Sequence, residues 1–152
     1  MVQHEGRLSV DNEARSTASP ERLFTLLADV ARWPEWTFPD EATREQDGSP
    51  DVDGVGAVRR FRRGTTVTRE RVVLFERPHA FSYELLEGIA VRNYRADVTI
   101  AVDPAGGSIV RWHSSFDPKF RGTGWLWKIG FRRFLGRTAQ DLAKAAAEPG
   151  VS

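Results

Sequence analysis

The sequence predicts an α+β fold in which a consecutive antiparallel sheet is covered by one long C-terminal helix. Three observations lead there. Over residues 124–148, Trp127, Phe131, Phe134, Leu135, Thr138, Leu142 and Ala145 recur at the spacing of a single helical face, while Arg132, Arg133, Arg137, Asp141 and Lys144 fall elsewhere. Between residues 57 and 116, apolar-polar alternations are separated by glycine-containing turns, the pattern of hairpin-linked strands. Ahead of them, Ser19-Pro20-Glu21 opens a shorter helix. The apolar face of the long helix needs a sheet to cover, and the functional question is whether the two close completely or leave a cavity.

At 152 residues the chain fits one domain, 1–152 with a core over about 8–148, which buries roughly two thirds of its unfolded surface. The formal net charge is +1, with nothing in the total that points to nucleic acid. The absence of cysteine excludes disulfides, thiolate metal sites and a cysteine nucleophile. Residues 1–14 are polar with no apolar signal region, and no stretch approaches the ~20 apolar residues of a membrane span. The expectation is a soluble cytoplasmic protein, monomer or homodimer, without integral membrane association.

In chain order, residues 8–17 suit a strand at the border of the sheet. In the helix over 20–30, Ser19 caps, Pro20 sits where its missing N–H is harmless, and Glu21 faces the positive end of the dipole. Leu23, Phe24, Leu27 and Val30 form its apolar stripe, and Pro34 stops or kinks the chain beyond that helix, leaving Trp33 and Trp36 in a short connector. Residues 37–55 read as a loop with one short strand near 42–46. Strands over 57–63 and 66–76 then flank Gly64-Thr65, a type II′ hairpin turn with glycine at the position that requires positive φ.

That turn fixes a register. With Arg63 opposite Thr66, Phe61 faces Thr68, Arg59 faces Glu70 and Ala57 faces Val72, all on one side. The other side carries Val58, Arg60, Arg62, Arg69 and Arg71, and unpaired arginines are too costly to bury, so that side is solvated. The inner face therefore holds one ion pair, Arg59 with Glu70. Further on, strands over 80–86, 92–102 and 108–116 follow. Opposing Val102 with Ser108 puts Tyr94, Ala96, Val98 and Ile100 on the side of Val110, Trp112, Ser114 and Phe116, and sends Arg95, Asp97, Thr99, Arg111 and His113 outside. Phe81, Tyr83 and Leu85 join the inner face. Residues 149–152 read as a frayed end.

Taken together, Ser19-Pro20-Glu21, the run Asp29 to Trp36, Gly54-Val55-Gly56 before a basic strand, Arg69-Glu70-Arg71-Val72, Arg77-Pro78, Phe81-Ser82-Tyr83, Tyr94 and Ile109-Val110-Arg111-Trp112 resemble the helix-grip superfamily of START lipid carriers, Bet v 1-like proteins and bacterial polyketide cyclases. The resemblance covers about residues 8–148. It implies a curved sheet gripping the C-terminal helix around a largely apolar cavity that holds a small hydrophobic or aromatic molecule. Phe61, Phe81, Tyr83, Tyr94, Trp112 and Phe116 from the sheet, Trp127, Phe131 and Phe134 from the helix, and Trp36 from the connector would line it. Gly122-Thr123-Gly124 would hinge an entrance near Trp125, Leu126 and Ile129.

Each of these aromatics also serves as ordinary core filling, and Arg59 with Glu70 serves equally as a cross-strand bridge or as a ligand-orienting or acid/base pair. Two functions remain. In one, the protein binds or carries the hydrophobic molecule. In the other, like the aromatase/cyclases, it folds and dehydrates a poly-β-ketone: Arg59 stabilises an enolate oxygen, Glu70 moves a proton, and Tyr83 or Tyr94 donates to a carbonyl. A regulatory partner role is a third. His4, His79 and His113 show no metal-ligand spacing, and there is no nucleotide fingerprint or Gly-x-Ser-x-Gly, so neither metal nor other cofactor is expected.

Overall fold

The computed structural model describes residues 7–149. His4, the polar segment ahead of residue 7 and the end at 150–152 lie outside them. Seven strands form one antiparallel sheet in the order β1-β7-β6-β5-β4-β3-β2, from β1 (Leu8–Ser16), β2 (Glu41–Gln46), β3 (Val58–Arg63), β4 (Thr66–Glu76), β5 (Ala80–Glu87), β6 (Val91–Val102) and β7 (Ser108–Pro118). The first helix, α1 (Pro20–Ala28), is capped by the Ser19 side chain on the Arg22 amide, as Ser-Pro-Glu predicts. The long helix α3 spans Gly124–Ala147. Together they make the helix-grip fold, an open curved sheet closed by a C-terminal helix.

Two expectations need correction here. The chain leaves α1 at Ala28, and Val30–Arg32 is a separate 3₁₀ turn. Trp33–Trp36 is itself a helical turn, α2, in which Pro34 occupies the first turn and starts the element instead of stopping one.

The Gly64 turn forms with φ at +59° on the glycine, and Arg63 pairs with Thr66, Phe61 with Thr68 and Arg59 with Glu70. Val102 pairs with Ser108 as well, β6 admits an extra residue near Asn93, whose φ is +53°, and Tyr94 is buried on the inner side with Ala96, Val98 and Ile100. Further register shifts between Arg69 and Glu70 and between Val72 and Leu74 bend β4 and β5 and add curvature. On the outer face Arg62 pairs with Glu41 and Asp40, and Arg69 with Glu45 and Glu87. Val58 is the exception there, buried where β2 shifts register against β3.

Helix α3 packs chiefly on β1 and β7. Its two halves differ for a reason visible in the residues. In the C-terminal half the buried positions include Ala139, Ala143, Ala145 and Ala146, small enough for the helix to settle directly onto the sheet. There the Ser16 hydroxyl donates to the Ala143 carbonyl at 2.7 Å. At Gly136 a Cβ would come within 2.9 Å of the Asn12 side-chain oxygen, so a larger residue there would push the Asn12 amide aside. In the N-terminal half Trp127, Phe131 and Phe134 stand between helix and sheet and hold them apart.

Candidate functional site

The space kept open by those three aromatics is a cavity of about 370 Å³. Its sheet wall carries Phe61, Glu70, Tyr83, Tyr94 and Trp112, and its helix wall Trp127, Phe131, Phe134, Leu135 and Thr138. Trp33, Phe38, Leu85 and Ile89 complete the apolar lining, and Thr68 lies among them. At the rim are Arg63 and Thr66, beside the β3-β4 turn, and Gly130 of α3, all exposed. The aromatic edges interlock: Tyr94 lies 5.1 Å from Phe131, Phe38 4.6 Å from Phe134, and Trp33 4.9 Å from Phe61, centroid to centroid.

Buried charge enters at one place. Arg59 donates through Nε to Glu70 Oε1 at 2.9 Å and through Nη2 to the same oxygen, while Nη1 reaches the Leu27 carbonyl at 2.9 Å. That carbonyl also accepts from the Trp33 indole at 3.1 Å. The guanidinium carbon lies 4.8 to 5.5 Å from the centroids of Trp33, Phe61, Phe81 and Tyr83, an aromatic box that fits a planar cation. Glu70 Oε2 makes no hydrogen bond among the described residues, and Glu70 is the member of the pair on the cavity wall. Burial pushes its carboxyl above the usual range, with the adjacent Arg59 charge and hydrogen bonds opposing the shift.

The Trp112 indole donates to the Tyr83 hydroxyl at 3.2 Å. Tyr94 lies beside Tyr83, ring centroids 6.3 Å apart, and its hydroxyl neighbours those of Tyr83 and Ser114. Burial raises both phenols well above their ordinary range, so each stays protonated and able to donate. The cavity thus offers one carboxylate oxygen as acceptor and phenolic O–H groups as donors, within walls that are otherwise mainly aromatic and aliphatic.

Seven of the ten residues predicted to touch a ligand lie on the wall, namely Phe61, Tyr83, Tyr94, Trp112, Trp127, Phe131 and Phe134. Three do not. Phe81 is fully buried against Phe24 of α1 and Phe75, because α1 covers that end of the sheet. Phe116 is sealed behind Phe131, 4.8 Å away. Trp36 packs behind Trp33 at a tilt, centroids 4.9 Å apart, and Trp33 holds the wall position expected of Trp36. Direct contact of Arg59 with an enolate oxygen has no room either, since Arg59 is 0% exposed and absent from the wall. His113 faces outward onto Asp11, 2.6 Å away. Phe38 was missed; a large aromatic inside a loop rich in Pro, Asp and Gly was the available signal. Among the described residues, no cluster of His, Cys, Asp and Glu is arranged to hold a metal ion, and no helix is long and apolar enough to cross a membrane.

A family model described as polyketide cyclase/dehydrase and lipid transport matches residues 7–147. Among solved structures, the protein XoxI from Bacillus cereus is similar in fold, with a TM-score of 0.71 at 16% identity, over 92% of this chain and 94% of that one. No curated protein matches by sequence.

Proposed function

We propose that this protein, which belongs to the polyketide cyclase/dehydrase and lipid transport family, binds a small hydrophobic or aromatic molecule carrying both a donor and an acceptor group in the cavity between its sheet and α3. The family and fold imply a hydrophobic-ligand role; the polar requirement is the finer part of the reading. The observation that carries it is the coincidence, in one aromatic cavity, of an unengaged Glu70 oxygen with the protonated hydroxyls of Tyr83 and Tyr94. A ligand hydroxyl would donate to Glu70, and a ligand carbonyl would accept from a tyrosine, while aromatic contact supplies most of the affinity. Thermal melting tests this directly. A planar phenol bearing a carbonyl, at a hundred times its Kd, should add about 2.7 kcal/mol of stability and displace a fluorescent apolar dye. No shift and no displacement with any apolar ligand would reject the reading.

A second reading, cyclisation and dehydration of a poly-β-ketone, is favoured by the same carboxylate oxygen. Glu70 would move the proton and a tyrosine would hold the carbonyl, with Arg59 acting as a positioning residue through Glu70. Glu70→Gln keeps an oxygen for Arg59 to donate to but has no proton-transfer capacity. Under the enzymatic reading it should abolish turnover of a poly-β-ketone while dye binding persists, and unchanged turnover would remove Glu70 from that role.

A further inference from the structure

The apolar residues that α3 does not use for packing lie together. Trp125, Leu126 and Ile129 share the solvent side of its first two turns, 63%, 56% and 49% exposed, and Phe120 in the preceding loop is 58% exposed. Between Asp117 and Asp141 the chain carries Lys119, Arg121, Lys128, Arg132, Arg133 and Arg137, and no acidic residue. Arg137 pairs with Asp141, whereas among the described residues the other five make no ion pair. The whole chain has a net charge of only +1, so this segment concentrates positive charge that the rest of the molecule offsets. Arg132 and Arg133, both exposed, follow Ile129 by about one turn and border the apolar group.

We infer that this surface is a peripheral docking site for a bilayer containing anionic lipid. Indole, phenyl and aliphatic side chains ringed by cations, among them Lys119 set 5.7 Å from the Phe120 ring centre, match the two halves of a membrane interface, where aromatic rings sit at headgroup depth and cations meet phosphate. A protein partner of matching chemistry would have to be both apolar and strongly acidic over the same small area. The docking face is also continuous with the cavity: Leu126, Gly130 and Phe134 follow at four-residue steps, and the last two are lining residues. Docking would therefore bring the rim against the bilayer, a route for an apolar ligand that avoids water. The docking surface stands without the cavity reading; only this transfer role rests on it.

Vesicle co-sedimentation tests the inference with the full chain. Phosphatidylcholine vesicles containing phosphatidylglycerol should retain the protein, and phosphatidylcholine alone should retain it about tenfold less well. Trp125→Ala with Ile129→Ala, and separately Arg132→Gln with Arg133→Gln, should each weaken retention by about tenfold, and about 0.5 M salt should do the same to wild type. All four side chains are exposed, so melting temperatures and dye binding should stay at wild-type values. Equal binding to both vesicle types, retention unaffected by either double variant, or a dimer in sedimentation equilibrium that Trp125→Ala dissolves without any vesicle binding would each overturn docking. If vesicles bind but no cavity ligand is found, docking stands and the cavity reading fails; if a ligand binds but vesicles retain nothing, the cavity reading stands and docking fails.

Discussion

Replacing Arg59 by methionine should lower stability by about 3–5 kcal/mol in urea unfolding, because it leaves the Glu70 carboxylate buried without its counter-charge. The exposed pairs of the outer face provide the contrast. Removing Arg62 or Arg69 from their carboxylates should change stability by no more than about 1 kcal/mol. The double variant Arg59→Met, Glu70→Leu should recover most of the loss, since two apolar side chains in that aromatic box leave no uncompensated charge. A single-variant cost below about 1 kcal/mol would mean that water reaches the pair and that the box around the guanidinium does not isolate it. This result bears on function as well: an activity lost in Arg59→Met has to be separated from a fold lost, and Glu70→Gln is the cleaner probe of chemistry.

The second large effect concerns the cavity itself. Thr138 is buried on α3, lines the cavity, and spends its hydroxyl on the Phe134 carbonyl within the same helix at 2.9 Å. Thr138→Phe directs a ring into the cavity and away from packed core, so overpacking should be limited to about 1 kcal/mol, at the low end of the usual range for a filled interior. Ligand affinity should fall about a hundredfold or more, equivalent to about 2.7 kcal/mol. Dye titration and urea unfolding on the same preparation measure both. Binding at wild-type strength in a folded variant would place the ligand somewhere other than between sheet and helix.

Much of this site could be read from the chain because parity in a hairpin is unforgiving. Once Gly64-Thr65 sets the turn, Arg59 and Glu70 must share a face with Phe61, and the excess of arginine on the alternate positions decides which face is dry. The same argument from Val102 and Ser108 orients Tyr94, Trp112 and Phe116. Parity identifies a face but says nothing about what covers each stretch of it. Phe81 and Phe116 lie on the correct side and still miss the cavity, one beneath α1 and the other beneath Phe131. Trp33 and Trp36 exchange roles for a related reason. In a single helical turn their directions depend on how that turn docks, and the docking is set by Phe61 and Phe38, both distant in sequence or in a loop. Likewise the helical spacing marks Trp127, Phe131 and Phe134 as one face, while the degree to which they are held off the sheet depends on the alanines further along α3.

The Leu27 carbonyl, shared by Trp33 and Arg59, has a consequence for the order of folding. Helix α1 has no basic residue in its last turn to answer the negative end of its dipole. The cation that does so arrives from β3, 32 residues along the chain, and is itself held by Glu70 of β4. On its own, a helix of nine residues is too short to persist in water. Trp33 can reach that carbonyl from six residues away, but the charged part of the anchor exists only after the β3-β4 hairpin has closed, so the full docking of α1 reports on whether that hairpin has found its register.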